Sequence, residues 1–401
     1  MLKYGAALMS KSLRFMQHGM VTAVTLPFDL DTAIQCWLHV RLAMLKHMPA
    51  EFTRDEWAYI VSFLSKESLL DPFARSFGAR LLEGDAEVST YIARPVSGVA
   101  VWLPNNVSLL GPLMLILLSL TGTRVRMKAG SRATDLTGTF LDFVMRYCPE
   151  GSFRTYLNNK VYHSVFGHED PRNSEMASEA RVRIVFGSDE AVAEIDGLAH
   201  PPGSQCFAFG DHRSEAWIES GCWNKSTVND LVKVFSIYGQ AGCTSPSRVI
   251  LINGLYDEAL SLRDTILRAW PTIVKRDPPP HLASANVCAC QVDRALGWEA
   301  ERVERNHGVV SVGNFTLRAD PALMNLRIVP ATIHDAVANL PENIQTVGHA
   351  LANSEDKRWL ALVARSKVLR FVPLRNMHFF GSVWDGNQFW AGIFEYVQFS
   401  L

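Results

Sequence analysis

From residue 93 onward, short apolar runs alternate with longer amphipathic ones. Residues 98–103 are apolar, Pro104, Asn105 and Asn106 interrupt them, residues 107–120 (VSLLGPLMLILLSL) are apolar almost throughout, and residues 124–128 resume a strand-like run. The long run contains a proline and is too short to cross a bilayer, so it predicts a buried helix inside a layered domain. Residues 135–147 then predict a helix, 181–186 (RVRIVF) a strand and 188–198 a helix. Strand, turn and helix in repetition is the pattern of a doubly wound parallel α/β sheet. Ahead of it, Trp37, Leu38, Val40, Leu42 and Leu45, then Trp57, Ile60, Val61 and Leu64, recur at helical spacing. Residues 1–70 therefore predict a helical segment that covers a core.

Downstream, residues 205–210 approach a turn at Asp211, His212 and Arg213, residues 216–219 form a short strand, and residues 227–238 a helix. That helix leads into GQAGCTSPSR, and residues 248–253 follow as an apolar strand. Cys243 thus sits on a small-residue turn between two elements. Gly239 and Gly242 admit backbone conformations closed to other residues, while Thr244, Ser245 and Pro246 fix the turn. Such a thiol is displayed for chemistry; the competing reading is a small buried cysteine, the usual fate of this residue. Beyond Asn253 the pattern predicts a helix over 255–270, a connector at 278–280, strands over 308–317 and 326–330, helices over 333–340 and 349–365, and a strand over 368–372. Trp384, Asp385, Gly386 and Asn387 read as a turn, and the tail 389–399 as a strand for a sheet edge, its own or a partner's.

Composition narrows the function. The chain has 401 residues, enough for two or three domains, and 39 Lys plus Arg stand against 40 Asp plus Glu. This balance predicts neither nucleic-acid nor membrane-surface binding. Seven cysteines without framework spacing, and no signal peptide, point to reduced thiols in a cytoplasmic protein. Cys288 and Cys290 are too close for paired zinc ligands and no H-E-x-x-H occurs, so no metal site is predicted. A G-x-G-x-x-G fingerprint is absent too. Gly187 and Ser188, ahead of Asp189 and Glu190, open a helix whose N–H groups suit a phosphate; a plain helix cap is the alternative.

Taken together, Pro104 to Val107, then Lys128 and Ser131 in RMKAGSR, then Gly187 and Ser188 in FGSDEAV, then GQAGCTSPSR, resemble the aldehyde dehydrogenase superfamily in order and spacing. With LPENIQTVGHAL, LRFVPLRNM and WDG added, the resemblance is closest to LuxC-like acyl-CoA or acyl-protein thioester reductases. It covers residues 95–390 in disconnected blocks. The resemblance implies an aldehyde-dehydrogenase-like α/β fold: a Rossmann-type cofactor domain (71–225) after the helical segment (1–70), an α/β catalytic domain (226–375), and a C-terminal β arm (376–401). That arm serves oligomerisation, a homo-oligomer being expected, or returns to the cofactor domain.

The resemblance further implies a covalent acyl-cysteine on Cys243, reduced to an aldehyde with NADPH or NADH. It places Lys128 and Ser131 at the adenosine ribose or its phosphate, with Gly187 and Ser188 nearby. Asn106 falls on the asparagine that holds the oxyanion. His212 is a candidate proton relay, and His307 a weaker one. Substrates would be acyl-CoA or acyl-carrier thioesters, with an acyl-activating enzyme as a possible partner. Thioester exchange suits a thiolate, because the leaving thiol is good and no strong base is required. Oxidising relatives carry a glutamate in an E-L-G-G block; here the corresponding stretch is Phe207, Ala208, Phe209, Gly210 and Asp211. Its apolar character fits an acyl-enzyme protected from water, unless Asp211 is the base. The E-x-F-G-P block is absent as well. Two rivals share the same residues: a CoA-acylating dehydrogenase running from aldehyde to thioester, and a non-catalytic subunit of an acyl-activating complex.

Overall fold

The computed structural model describes residues 13–81, 90–132, 134–240, 242–275, 280–303, 308–319, 322–354 and 356–398; His307 and most of the 278–280 connector lie outside these residues. The chain divides into two compact units, Met1–Gly210 with Phe380–Leu401, and Asp211–Phe379.

The first unit opens on a hairpin. β1 (Leu13–Gln17) and β2 (Met20–Val24) pair antiparallel around His18 and Gly19, at φ 51° and 79°. Positive φ at both central residues matches the right-handed twist of the strands. This corrects the expectation of helix throughout residues 1–70: the alternation in LRFMQ and MVTAV about a glycine is a strand signal. Helices follow as α1 (Leu30–Met44), α2 (Arg54–Phe63) and α3 (Lys66–Phe77), each with a side-chain cap at Asp29, Thr53 or Ser65. β3 (Ala79–Arg80) and β4 (Tyr91–Pro95) join the hairpin, and the C-terminal strand Phe394–Gln398 lies antiparallel to β4 at the sheet edge. The tail therefore returns to a sheet of its own unit.

The larger layer of this unit is a parallel sheet of β5 (Gly98–Trp102), β6 (Arg124–Gly130), β7 (Val161–Phe166), β8 (Val182–Phe186) and β9 (Gln205–Phe209), in the order β7-β6-β5-β8-β9. Its crossovers are α4 (Leu110–Ser119), α5 (Leu136–Tyr147), α6 (Ser152–Lys160), α7 (Arg172–Glu179) and α8 (Asp189–Asp196). The direction of winding reverses between β5 and β8, and ligands of such sheets bind at the carboxyl ends of the strands beside this switch. All residues of α4 are buried, as its apolar run requires. Gly111 permits the close approach of α4 to α5, since a Cβ there would collide with the Thr137 hydroxyl. Strand β7 and helix α6 carry no clear sequence signal; β7 is an edge strand that exposes Tyr162 and Val165.

The second unit holds a seven-stranded sheet. In chain order it comprises β10 (Arg213–Glu219), α9 (Lys225–Ser236), β11 (Pro246–Ile252), α10 (Tyr256–Ile273), α11 (Pro280–Ala295), β12 (Glu299–Arg302), β13 (Val309–Val312), β14 (Asn325–Ala331), α12 (Ile333–Ala338), β15 (Ile344–Ala350), α13 (Lys357–Ala364) and β16 (Arg370–Pro373). The strands run β12-β13-β14-β11-β10-β15-β16, parallel except for β12. The expected helix over 349–365 is shorter, confined to α13. The stretch before it is β15, where Gln345 and Thr346 are fully buried between hydrogen-bonded neighbours. Phe235 and Trp270 fill the core on one face, Trp217 and Ile250 on the other.

Trp390 fastens the returning C-terminal segment to the first unit. It is fully buried, donates from Nε1 to the Leu117 carbonyl at 3.0 Å and meets the Phe73 ring edge-on at 4.8 Å. Trp390→Ala is expected to lower unfolding stability by about 3–5 kcal/mol, the range for a deleted buried aromatic, and Trp390→Phe by less. Urea denaturation followed by circular dichroism measures both.

Candidate active site

Cys243 stands on the turn between α9 and β11, partly buried. The turn begins with a 3-10 stretch, Ile237–Gln240, and Gln240 takes a left-handed φ of 66°. Its side chain then behaves as a short strand. Oε1 accepts from the Asn325 N–H at 3.1 Å, while Nε2 donates to the Asn325 carbonyl at 3.2 Å and the Pro246 carbonyl at 3.3 Å. Both backbone groups of Asn325, at the start of β14, are thereby satisfied by one amide.

Two further contacts grip the cysteine itself. The Cys243 carbonyl accepts from the buried Ser214 hydroxyl at 2.6 Å, and the Ser245 N–H closes the turn onto the Gly242 carbonyl at 2.9 Å. Thr244 Oγ1 lies 2.6 Å from His378 Nδ1, and His378 Nε2 lies 2.7 Å from the Val234 carbonyl. A carbonyl only accepts, so Nε2 carries the proton and Nδ1 accepts from the Thr244 hydroxyl. Burial pushes the His378 pKa down to about 4, with the Arg370 charge adding to the effect and the Val234 carbonyl opposing it. The ring is neutral near pH 7.

Two buried carboxylates brace the strands that the turn enters. Glu215 on β10 accepts from Arg248 Nε at 2.9 Å and from Trp217 Nε1 at 3.0 Å. Burial raises its pKa even against the pull of Arg248. Asp293 on α11 accepts from Arg327 Nη2 at 2.8 Å, Ser311 Oγ at 2.7 Å and Asn325 Nδ2 at 3.0 Å. Such enclosed carboxylates persist because each has several donors.

His212 lies on the link before β10, two residues ahead of Ser214. Asn343 brackets it, donating from Nδ2 to the Asp211 carbonyl at 2.9 Å and accepting the Arg213 N–H at 3.0 Å. Within the second unit, then, Ser214 bonds to Cys243, and His212 lies two residues before it in the chain. Sequence reasoning reaches Thr244 as a residue that fixes the turn, and misses Ser214, Gln240 and His378. Of these three, only Gln240 carried a local hint, through its place in the cysteine block.

The other site residues gather in the first unit at the carboxyl ends of its parallel strands. Lys128 is near the end of β6 and Ser131 in the exposed turn after it; Asn106 is exposed in the loop after β5. A Cβ at Gly130 would fall on the Asn105 amide, so this glycine makes room for the loop. The Lys128 ammonium lies 5.7 Å from the Phe166 ring centroid, and burial lowers its pKa, opposed by Glu194. Ser188 caps α8 by accepting the Ala191 N–H at 3.3 Å, and the Gly187 N–H donates to the Phe209 carbonyl at 3.2 Å. Phe209 stacks on Phe186 at 4.6 Å, and Phe207 packs where a Cβ on Gly392 would stand. Among the described residues, no group of three or more His, Cys, Asp or Glu is arranged to hold a metal ion. None of their helices is long and apolar enough to cross a membrane.

This architecture is that of the aldehyde dehydrogenases. The chain is similar to an aldehyde dehydrogenase of Bartonella henselae, with a TM-score of 0.60 and 12% identity over 92% of this chain and 84% of that one. It is also similar to the indole-3-acetaldehyde dehydrogenase of P. syringae solved with NAD+ (0.63, 10% identity, 93% and 85%). A third likeness is to the succinic semialdehyde dehydrogenase of Streptococcus pyogenes solved with NADP+ (0.62, 11% identity, 86% and 82%). No curated protein sequence matches the chain. The family model for acyl-CoA reductase (LuxC) matches residues 31–389, and the chain belongs to that family of oxidoreductases.

Gln240→Ala should strip both backbone groups of Asn325 of their partners and cost about 1–3 kcal/mol, the penalty for buried polar groups left unpaired. Urea unfolding measures the loss. A loss of less than about 0.5 kcal/mol, the scale of an inert surface change, would remove Gln240 from this role.

Proposed function

We propose that the protein reduces an acyl thioester, carried by coenzyme A or a carrier protein, to an aldehyde through an acyl-cysteine on Cys243. The observation that carries this reading is the cysteine turn, glycine-flanked and held by Ser214 and Thr244, in a chain of the acyl-CoA reductase family. The Cys243 thiolate attacks the acyl carbonyl, the carrier thiol departs, and one thioester replaces another with little change in free energy. The Cys243 N–H serves as a donor to the oxygen on which charge develops, and the family resemblance supports an oxyanion role for Asn106. His212 supplies a proton as the thiol or thiohemiacetal is released.

A reduced nicotinamide cofactor, NADPH or NADH, supplies the hydride when bound. The first unit fits such a group: its strand order has the switch beside β5, Gly130 lets the Asn105 side chain close onto the end of β6, and Lys128 is a half-buried cation at that strand end. Lys128 and Ser131 would hold the adenosine ribose or its 2′-phosphate, an anion that favours the charged form of an amine against the effect of burial. Phe207, Ala208 and Phe209 offer no carboxylate to activate water.

Two experiments test the reading. Intact-mass analysis with a panel of acyl-CoAs should show one acyl group on wild type and none on Cys243→Ser, while quenching of tryptophan fluorescence by NADPH is unchanged. The wild-type acyl-enzyme should persist until NADPH is added and then yield aldehyde; rapid release of free acid without cofactor contradicts the proposal. Lys128→Ala should raise the Michaelis constant for NADPH by about tenfold or more, as for loss of a charge-assisted contact, with that of the acyl donor little changed. Equal effects on both would remove Lys128 from the cofactor site.

A further inference from the structure

We propose that His378 is a positioning residue for the nucleophile, fixing the cysteine turn by holding Thr244 against the last turn of α9. The inference rests on the assignment of Cys243 as nucleophile. His378 and Thr244 are 134 positions apart in sequence, yet their side chains meet at 2.6 Å. The direction of the chain of bonds is set throughout. Val234 belongs to the final turn of α9, where carbonyls lack partners within the helix, and the His378 Nε2–H satisfies one of them. Nδ1 then accepts the hydrogen bond of the Thr244 hydroxyl. Thr244, only 5% exposed, has its single donor committed, and the residue that follows Cys243 is locked to one rotamer.

His378 is itself held from behind. Arg370 on β16 donates from Nη1 to the Met377 carbonyl at 3.1 Å and from Nη2 to the Phe379 carbonyl at 3.0 Å, the carbonyls on either side of the histidine. The same Nη1 lies 3.2 Å from the Thr346 hydroxyl on β15. Met377 is fully buried against Gly348, where any Cβ would strike its side chain. A continuous path thus runs from IQTVG through LRFVPLRNMH to the residue beside the cysteine. Three separated sequence blocks act on one geometry. With Ser214 donating to the Cys243 carbonyl, the cysteine is held both through its own backbone and through the side chain that follows it.

Misalignment of a nucleophile by a fraction of an ångström slows attack without weakening donor binding. His378→Gln keeps a donor able to reach Val234 but offers Thr244 no acceptor at the Nδ1 position; Thr244→Val removes the hydroxyl. In single-turnover acylation, using the acyl-CoA that labels wild type fastest in a panel from acetyl-CoA to palmitoyl-CoA, each variant should be slower by about ten- to hundredfold at saturation. The half-saturating donor concentration should not move, Thr244→Ser should recover most of the rate, and the double variant should be no slower than the slower single one. Alkylation of Cys243 by iodoacetamide, with urea midpoints recorded alongside, provides a second series that needs no acyl donor. Wild-type rates in both variants, a loss confined to half-saturation, or losses that multiply in the double variant would falsify the role of His378. Absence of any acyl group on Cys243 of the wild type overturns the nucleophile assignment instead, and the alkylation series still decides whether His378 positions the thiol.

Discussion

A turn that is largely enclosed cannot leave its carbonyls and hydroxyls to solvent, and the need to satisfy them organises the second unit. The Cys243 carbonyl takes the Ser214 hydroxyl from β10, the Thr244 hydroxyl takes His378 from the segment after β16, and Gln240 occupies the backbone of β14. These partners are within reach because the strands are parallel and begin together. Ser214 pairs with Pro246 on one side and Thr346 on the other, and Arg248 pairs with Arg327. The amino ends of β10, β11, β14 and β15 therefore line one edge of the sheet. The cysteine turn is the cap of that edge, and the sheet register decides which side chains meet it.

The first unit uses the opposite ends of its strands. In a sheet wound both ways from β5, the crossovers leave the carboxyl ends of β5 and β8 without a helix spanning them. Small residues collect there for a steric reason: Gly130 gives way to Asn105, and a Cβ at Gly210 would collide with the Asp189 carboxylate at the head of α8. Neither close approach depends on a G-x-G-x-x-G motif, because the glycines that allow them are dispersed over separate loops. Lys128 keeps its charge in this setting at some cost from burial, offset by Glu194 and by the Phe166 face.

What the sequence made legible follows from where information is local. The buried helix α4, the strands β5, β6 and β8, and the glycine-flanked cysteine turn each declare themselves within a few residues. Strand β7 does not, since an edge strand with one ragged face lacks both a continuous apolar run and a clean alternation. Strand β15 was masked for the opposite reason: Gln345 and Thr346 are polar but wholly buried, a placement that only the neighbouring strands explain. The same holds for the candidate site. Cys243 could be named from its neighbours, whereas His378 matters through contacts with Thr244 and Val234 that no window of sequence contains.

Two histidines of the second unit, His378 and His212, illustrate how surroundings, and not residue type, limit what an imidazole can do. A proton shuttle must alternate between donor and acceptor at one nitrogen, with the charged form accessible near neutral pH. His378 meets neither condition: Nε2 is committed to a carbonyl that can only accept, Nδ1 already receives a hydrogen bond, and enclosure disfavours the imidazolium. Protonating Nδ1 would set two donors against each other unless Thr244 turned away, which would release the residue beside Cys243. Its depressed pKa therefore stabilises the fold above the ordinary histidine range, and that contribution is lost as pH falls from about 6.5 toward the folded value. His212 is held through the backbone on either side of it, at the Asp211 carbonyl and the Arg213 N–H. Those bonds fix the backbone on both sides of His212, whereas the bonds at Nδ1 and Nε2 of His378 tie that ring to one tautomer and make it a brace.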